Sequence, residues 1–133
     1  MMFFAKYFAT LIIVPNIYYF CDLKFYDRMN IEFADKGLED LYLYEVTKEK
    51  KYQKLSKNII KRYIKAVNYL KAVRRIEDLY SIKSLHYEKK KGNLKGVEAV
   101  WVNDQYRLFF ESSSDEQNIV VNALLLEISK HYE

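Results

Sequence analysis

The sequence predicts an α+β domain: an antiparallel, twisted sheet of four or five strands with two or three N-terminal helices packed on one face. Three observations carry that expectation. Apolar residues recur at spacings of three and four through the middle of the chain, the period changes to two from Ser84 onward, and polar or glycine-bearing turns separate the later runs. With 133 residues there is enough chain for one core and not two, and 17% aromatic content dominated by tyrosine points to a packed unit with wet aromatic tips.

The elements follow in order. Met1 to Phe20 is hydrophobic, with Lys6 near its start and Pro15 and Asn16 interrupting the run from Tyr7 to Phe20. That run is shorter than the roughly 20 residues a spanning helix needs, and no small-x-small cleavage site follows it. Residues 1–28 are therefore expected to be an N-terminal extension or an over-long gene start, with Met29 opening a cytoplasmic domain over 29–133. Asn30 to Phe33 alternates as a short strand, and Asp35 is placed to cap a short helix carrying Leu38, Leu41 and Leu43. Ser56 caps the best helix, Lys57 to Val73, whose Ile60, Tyr63, Ile64, Val67 and Leu70 form an apolar stripe. Arg74 and Arg75 close it, and Ile76 to Ile82 reads as one further turn. Leu85 to Glu88, Val97 to Val102, Tyr106 to Glu111 and Asn118 to Leu126 then read as strands, the last nearly continuous in apolar residues as suits an interior strand.

Charge is distributed unevenly. Lys48 to Lys95 holds 16 Lys or Arg against 4 Asp or Glu, whereas Met29 to Thr47 balances to −4 and Gly96 to Glu133 to −5. A cationic middle between acidic ends attracts nucleic acid or an acidic partner. Its densest part is the loop with Lys89, Lys90, Lys91 and Lys95 around Gly92 and Gly96, where sharp turns let ammonium groups converge on a polyanion. Lys57, Lys61, Arg62, Lys65 and Lys71 lie mostly off the apolar stripe of the long helix, as a basic outer surface. A single cysteine, Cys21, excludes a disulfide framework, and the two distant histidines, His86 and His131, argue against a zinc site. With no glycine-rich phosphate motif, no nucleotide cofactor is expected.

Leu85-His86, the loop Lys91-Gly92-Asn93-Leu94-Lys95-Gly96, the turn Val102-Asn103-Asp104 with Tyr106-Arg107-Leu108 behind it, and the closing Ser129-Lys130-His131-Tyr132 together resemble the RelE/ParE superfamily of bacterial toxins, most closely its HigB-like branch. The resemblance spans 29–133. It implies the toxin of a type II toxin-antitoxin module that enters the ribosomal A site and cuts messenger RNA without a metal. It also implies silencing by a cognate antitoxin, usually a helix-turn-helix protein. The cut is attack of a ribose 2′-hydroxyl on its own 3′ phosphate, which needs alignment, a base, charge neutralisation and an acid.

Catalytic roles are expected for Arg107, His131, Tyr132, Lys91 and Lys95. Arg107 follows a tight turn and can offer a bidentate fork to phosphate, or alternatively pair across strands with Glu98 or Glu111. The Asp-Tyr-His ending of better-known members is missing: Leu125-Leu126-Glu127 occupies part of that region and His131-Tyr132 follows a few residues later, which leaves the identity of the proton carrier open. RNA contacts are expected from Lys89, Lys90, His86, Lys61, Arg62, Arg74 and Arg75; His86 has packing as its alternative, Tyr87 and Tyr106 are read as sheet-face residues and Trp101 as core. Two rival functions remain: gyrase inhibition, as in the ParE branch, and plain RNA binding with steep salt dependence.

Overall fold

The computed structural model describes residues 28–114 and 121–130. Strand β1 (Asn30–Phe33) leads into α1 (Lys36–Tyr44), the short α2 (Lys50–Gln53) and the long α3 (Lys57–Ala72). Two 3-10 segments, Ile76–Ser81 and Lys83–Leu85, lead to β2 (Glu88–Lys89), and a third, Gly92–Leu94, leads to β3 (Glu98–Trp101). Strands β4 (Tyr106–Ser114) and β5 (Val121–Lys130) complete a five-stranded sheet of order β1-β5-β4-β3-β2.

The α+β class stands, with one refinement: β1 runs parallel to β5, while the other pairs are antiparallel. A parallel neighbour needs a long crossover, and α1 to α3 together with the rest of the sheet supply it. β5 is flanked on both sides, in keeping with its apolar run. α2 had no counterpart in the sequence reading, and Leu85 ends a 3-10 turn instead of opening a strand.

Capping fixes where the helices begin. Asp35 accepts the amide of Leu38 at 2.8 Å, and Ser56 Oγ accepts that of Ile59 at 3.3 Å. From α1 the buried residues are Leu38 and Leu41; from α3 they are Ile60, Tyr63, Ala66, Val67 and Leu70. Leu43 instead points to solvent. The helical residues pack on one face of the sheet in a single cluster with Val100, Val102, Tyr106, Leu108, Phe110, Ala123, Leu125 and Ile128. Tyr63 is fully buried, donates to the carbonyl of Leu38 at 2.8 Å and is pushed well above the usual phenol range by desolvation.

Cross-strand partners share a face, so the register defines the opposite, outer face. One row there is Trp101, Arg107 and Ser129; the next is Glu88, Ala99, Phe109 and Glu127. A register shift at Phe109/Phe110 inserts Leu126, which lets both Leu125 and Ile128 face the core while Glu127 stays outside. Among the described residues no helix is long and apolar enough to cross a membrane.

Candidate active site on the outer sheet face

The turn between β3 and β4 is built by Asn103. Its side-chain oxygen accepts the amides of Tyr106 at 2.7 Å and Gln105 at 2.9 Å, a local substitute for a backbone turn bond. That leaves the turn's carbonyls directed at Arg107. Nη1 of Arg107 donates to the carbonyls of Asn103 at 2.8 Å, Tyr106 at 3.2 Å and Asp104 at 3.3 Å. The residue is only 4% exposed, and its Nε is buried without a hydrogen-bond partner. Desolvation lowers the guanidinium's pKa, while the charges of Glu88 and Asp104 oppose that shift.

Four side chains share the outer face with Arg107. Its guanidinium carbon lies 4.2 Å from the centre of the Trp101 ring, the cross-strand neighbour. The same ring stacks against His86, with centres 3.8 Å apart and planes 25° from parallel. His86 is exposed and holds a left-handed backbone (φ 45°) at the end of the Lys83–Leu85 turn, a conformation uncommon for a residue with a Cβ. Glu88 sits in the next row on β2, two strands across from Arg107, near enough for its charge to act on the guanidinium. The ammonium of Lys90 bonds Glu88 Oε1 and lies 5.8 Å from the Phe109 ring.

The outer face therefore gathers a carboxylate, an imidazole, an ammonium and a guanidinium beside an aromatic wall. His86 and Lys90, read from sequence as RNA contacts, belong to it. Trp101, read as core, is half exposed and central to it, because its cross-strand partner is the outer-face Arg107 and not a core residue. Glu88 was overlooked. Its signal was nevertheless present, since Glu88 and Lys90 alternate and so share one face of an extended segment.

Arg107 does not pair with Glu98 or Glu111 as the alternative had it. Glu98 lies on the core face, 5% exposed. It accepts from Tyr87 Oη on one oxygen and from the amide and hydroxyl of Ser112 on the other. Burial, and then the bond to Glu98, push the Tyr87 phenol far above its usual range. Tyr87 and Tyr106 are buried core residues.

The lysine loop forms a separate compartment. Gly92 (φ 69°) and Gly96 (φ 96°) supply left-handed corners. Lys89, Lys90, Lys91 and Lys95 line a cavity of about 490 Å3 that reaches Glu98 and Ser112. Arg75 lines an adjoining cavity of about 380 Å3 with Lys89 and Ser112, and is ion-paired to Asp78 at 3.6 Å. Of the four loop lysines, Lys90 has a contact to the outer-face groups, while Lys91 and Lys95 line the loop cavity. Lys61 and Arg74 are exposed on and just after α3, and Arg62 lines a third cleft. His131 and Tyr132 lie outside the described residues; β5 ends just before them at Lys130, opposite Tyr106.

Residues 31–127 match the family of RelE-like toxins described as the HigB toxin of type II toxin-antitoxin systems, and the chain belongs to that HigB-like family. It is 32% identical over 83 residues to Toxin HigB-1 of Vibrio cholerae serotype O1, an alignment covering 62% of this chain and 83% of that one. Among solved structures, a YoeB/ParE toxin from Agrobacterium tumefaciens matches 78% of this chain and 100% of its own at 13% identity, TM-score 0.45. A YoeB dimer from Staphylococcus aureus matches 79% of this chain and 99% of its own at 23% identity, TM-score 0.43.

Proposed function

We propose that this type II toxin is an endoribonuclease that cuts messenger RNA in the ribosomal A site by 2′-hydroxyl attack, using protein groups rather than a metal. The observation that carries the reading is the placement of Glu88 beside Arg107, His86 and Lys90 on one solvent-facing stretch of sheet. Glu88 takes the proton of the 2′-hydroxyl as the oxygen attacks the adjacent phosphorus. Lys90 holds that carboxylate in place and gives way to it as substrate enters.

Arg107 supplies positive charge where the phosphate becomes more anionic. With Nη1 committed to the turn, its role is a fixed local field plus the remaining donors, and not an exposed fork. Trp101 and His86 offer stacking surface for a base next to the cut. His131, with Tyr132, protonates the leaving 5′-oxygen, giving a cyclic phosphate and a 5′-hydroxyl. Lys89, Lys91 and Lys95 hold RNA backbone at the loop. A cognate antitoxin, of helix-turn-helix type as the resemblance implies, neutralises the protein by covering its cationic surface.

The test is cleavage of messenger RNA on programmed ribosomes by the purified chain, beside Arg107→Ala and His131→Ala. Ribosome-dependent cuts ending in cyclic phosphate, lost in both variants, are expected. Intact RNA with the wild type sinks the nuclease and directs attention to gyrase.

A further inference from the structure

Across the β3–β4 turn from the cluster, a cleft of about 220 Å3 opens between α3 and the sheet, lined by Arg62, Lys65, Ala66, Tyr69, Ser84, Leu85, Trp101 and Val102. Arg62, Lys65 and Tyr69 fall at positions i, i+3 and i+7 of α3, so they share one helical face. Ala66 lies between them and is buried, and its short side chain leaves the cleft its depth. The Lys65 ammonium lies 5.9 Å from the centre of the Tyr69 ring, while Arg62 and Lys65 are exposed and, among the described residues, in no ion pair with a carboxylate. No acidic residue lines the cleft.

Two unpaired cations, a hydroxyl and two aromatic side chains in one cleft without an acid select an anion that carries a flat ring. Trp101 belongs to this cleft and to the Arg107 cluster at once, so a strand lying over the cluster reaches the cleft by turning past that ring at the end of β3. We propose that the cleft is a nucleotide subsite: it holds a base against Tyr69 and the edge of Trp101, and that nucleotide's phosphate on Arg62 and Lys65, one flank away from the cut. This rests on the nuclease reading for its direction but not for its chemistry. The cleft would thus set how firmly the substrate strand is gripped, leaving the rate of the bond-breaking step to Glu88 and Arg107.

The experiment measures binding of a fluorescent single-stranded hexanucleotide, 2′-deoxy throughout so that it resists cutting, by anisotropy over a salt series with the full chain. Arg62→Ala and Lys65→Ala are expected to weaken binding about three- to tenfold at low salt, each reducing the slope of log K against log salt by about 0.7. Tyr69→Leu is expected to weaken binding with the slope unchanged. Lys48→Ala, an exposed lysine on the loop before α2, controls for general loss of charge. All four positions carry exposed or half-exposed side chains, and matching thermal melts verify folding.

Affinities that respond to none of the three cleft substitutions, or respond no more than to Lys48→Ala, overturn the subsite. So does a polyglutamate peptide that competes as well as an oligonucleotide, which would make the cleft a protein-docking surface. If the wild type binds through the cleft yet leaves ribosomal message intact, the subsite stands and the nuclease reading falls. If it cuts while the cleft substitutions change nothing, the reverse holds.

Discussion

Glu98 and Arg107 are both buried charges on neighbouring strands, 5% and 4% exposed, yet their surroundings differ in kind. Glu98 faces the core and has both oxygens occupied, by Tyr87 on one and Ser112 on the other. Arg107 faces outward, with one nitrogen held by three carbonyls and another buried without a partner. A satisfied buried charge ties strands together; an incompletely satisfied one carries a desolvation cost that a ligand can relieve. The comparison separates a structural bolt, tying β3 to β4 and to the residue before β2, from a charge with donor capacity to spare.

Substitutions can break that distinction. The largest effect is expected at Glu88, whose replacement by Gln removes the base without altering shape: the single-turnover cutting rate should fall by about 10²- to 10⁴-fold with an unchanged melting temperature. Arg107→Lys keeps a charge but loses the planar geometry, and should lower cutting by about 10²-fold, a loss of transition-state stabilisation of nearly 3 kcal/mol. At Glu98 the order of effects reverses. Glu98→Ala leaves the Tyr87 hydroxyl and the Ser112 donors unpaired and should cost about 3 kcal/mol in urea unfolding, while the surviving folded fraction cuts normally. Equal damage to rate and stability at both positions would erase the contrast.

The smallest effect is expected at Asp35, a half-buried carboxylate between these extremes. Burial opposes its ionisation, but the Leu38 amide and the bonds from Lys51 at 3.0 Å and Tyr52 at 3.1 Å outweigh it and hold its pKa below the usual value. The same environment pushes the Tyr52 phenol up to about 12, chiefly through burial. Because the folded-state pKa is depressed, Asp35 contributes fully above the unfolded carboxylate value near ~4, and its contribution vanishes as pH falls through the folded value. Asp35→Ala should cost about 1 kcal/mol at pH 7, a cost that shrinks as pH is lowered through the depressed folded-state value, read from paired denaturation curves.

The sequence carried the helices well, because caps and apolar spacing are local properties. Asp35, Ser56 and the α3 stripe stand where the pattern put them. It did not carry the parallel β1–β5 pair, which joins residues such as Asn30 and Asn122 that no local pattern connects. Nor did strict alternation along β5 foretell the inserted Leu126, which changes the facing of everything before it. At the site, Arg107, His86 and Lys90 were legible as cations or imidazole near a turn. Trp101 was misread because hydrophobicity predicts burial and says nothing about which face its cross-strand partner occupies. Lys91 and Lys95 line the loop cavity, and how that cavity stands to Arg107 is set by the β3–β4 pairing, which no local pattern conveys.

The pairing of β1 with β5 has a bearing on synthesis. The opening strand of the described domain finds its sheet neighbour only when a segment some 92 residues later has emerged, and β4 gains its second neighbour from that same segment. Contacts so distant in sequence form late. A chain still growing on the ribosome thus holds the Trp101–Arg107 row without the strand that braces it, and the sheet closes on both sides of β5 only after that segment has emerged.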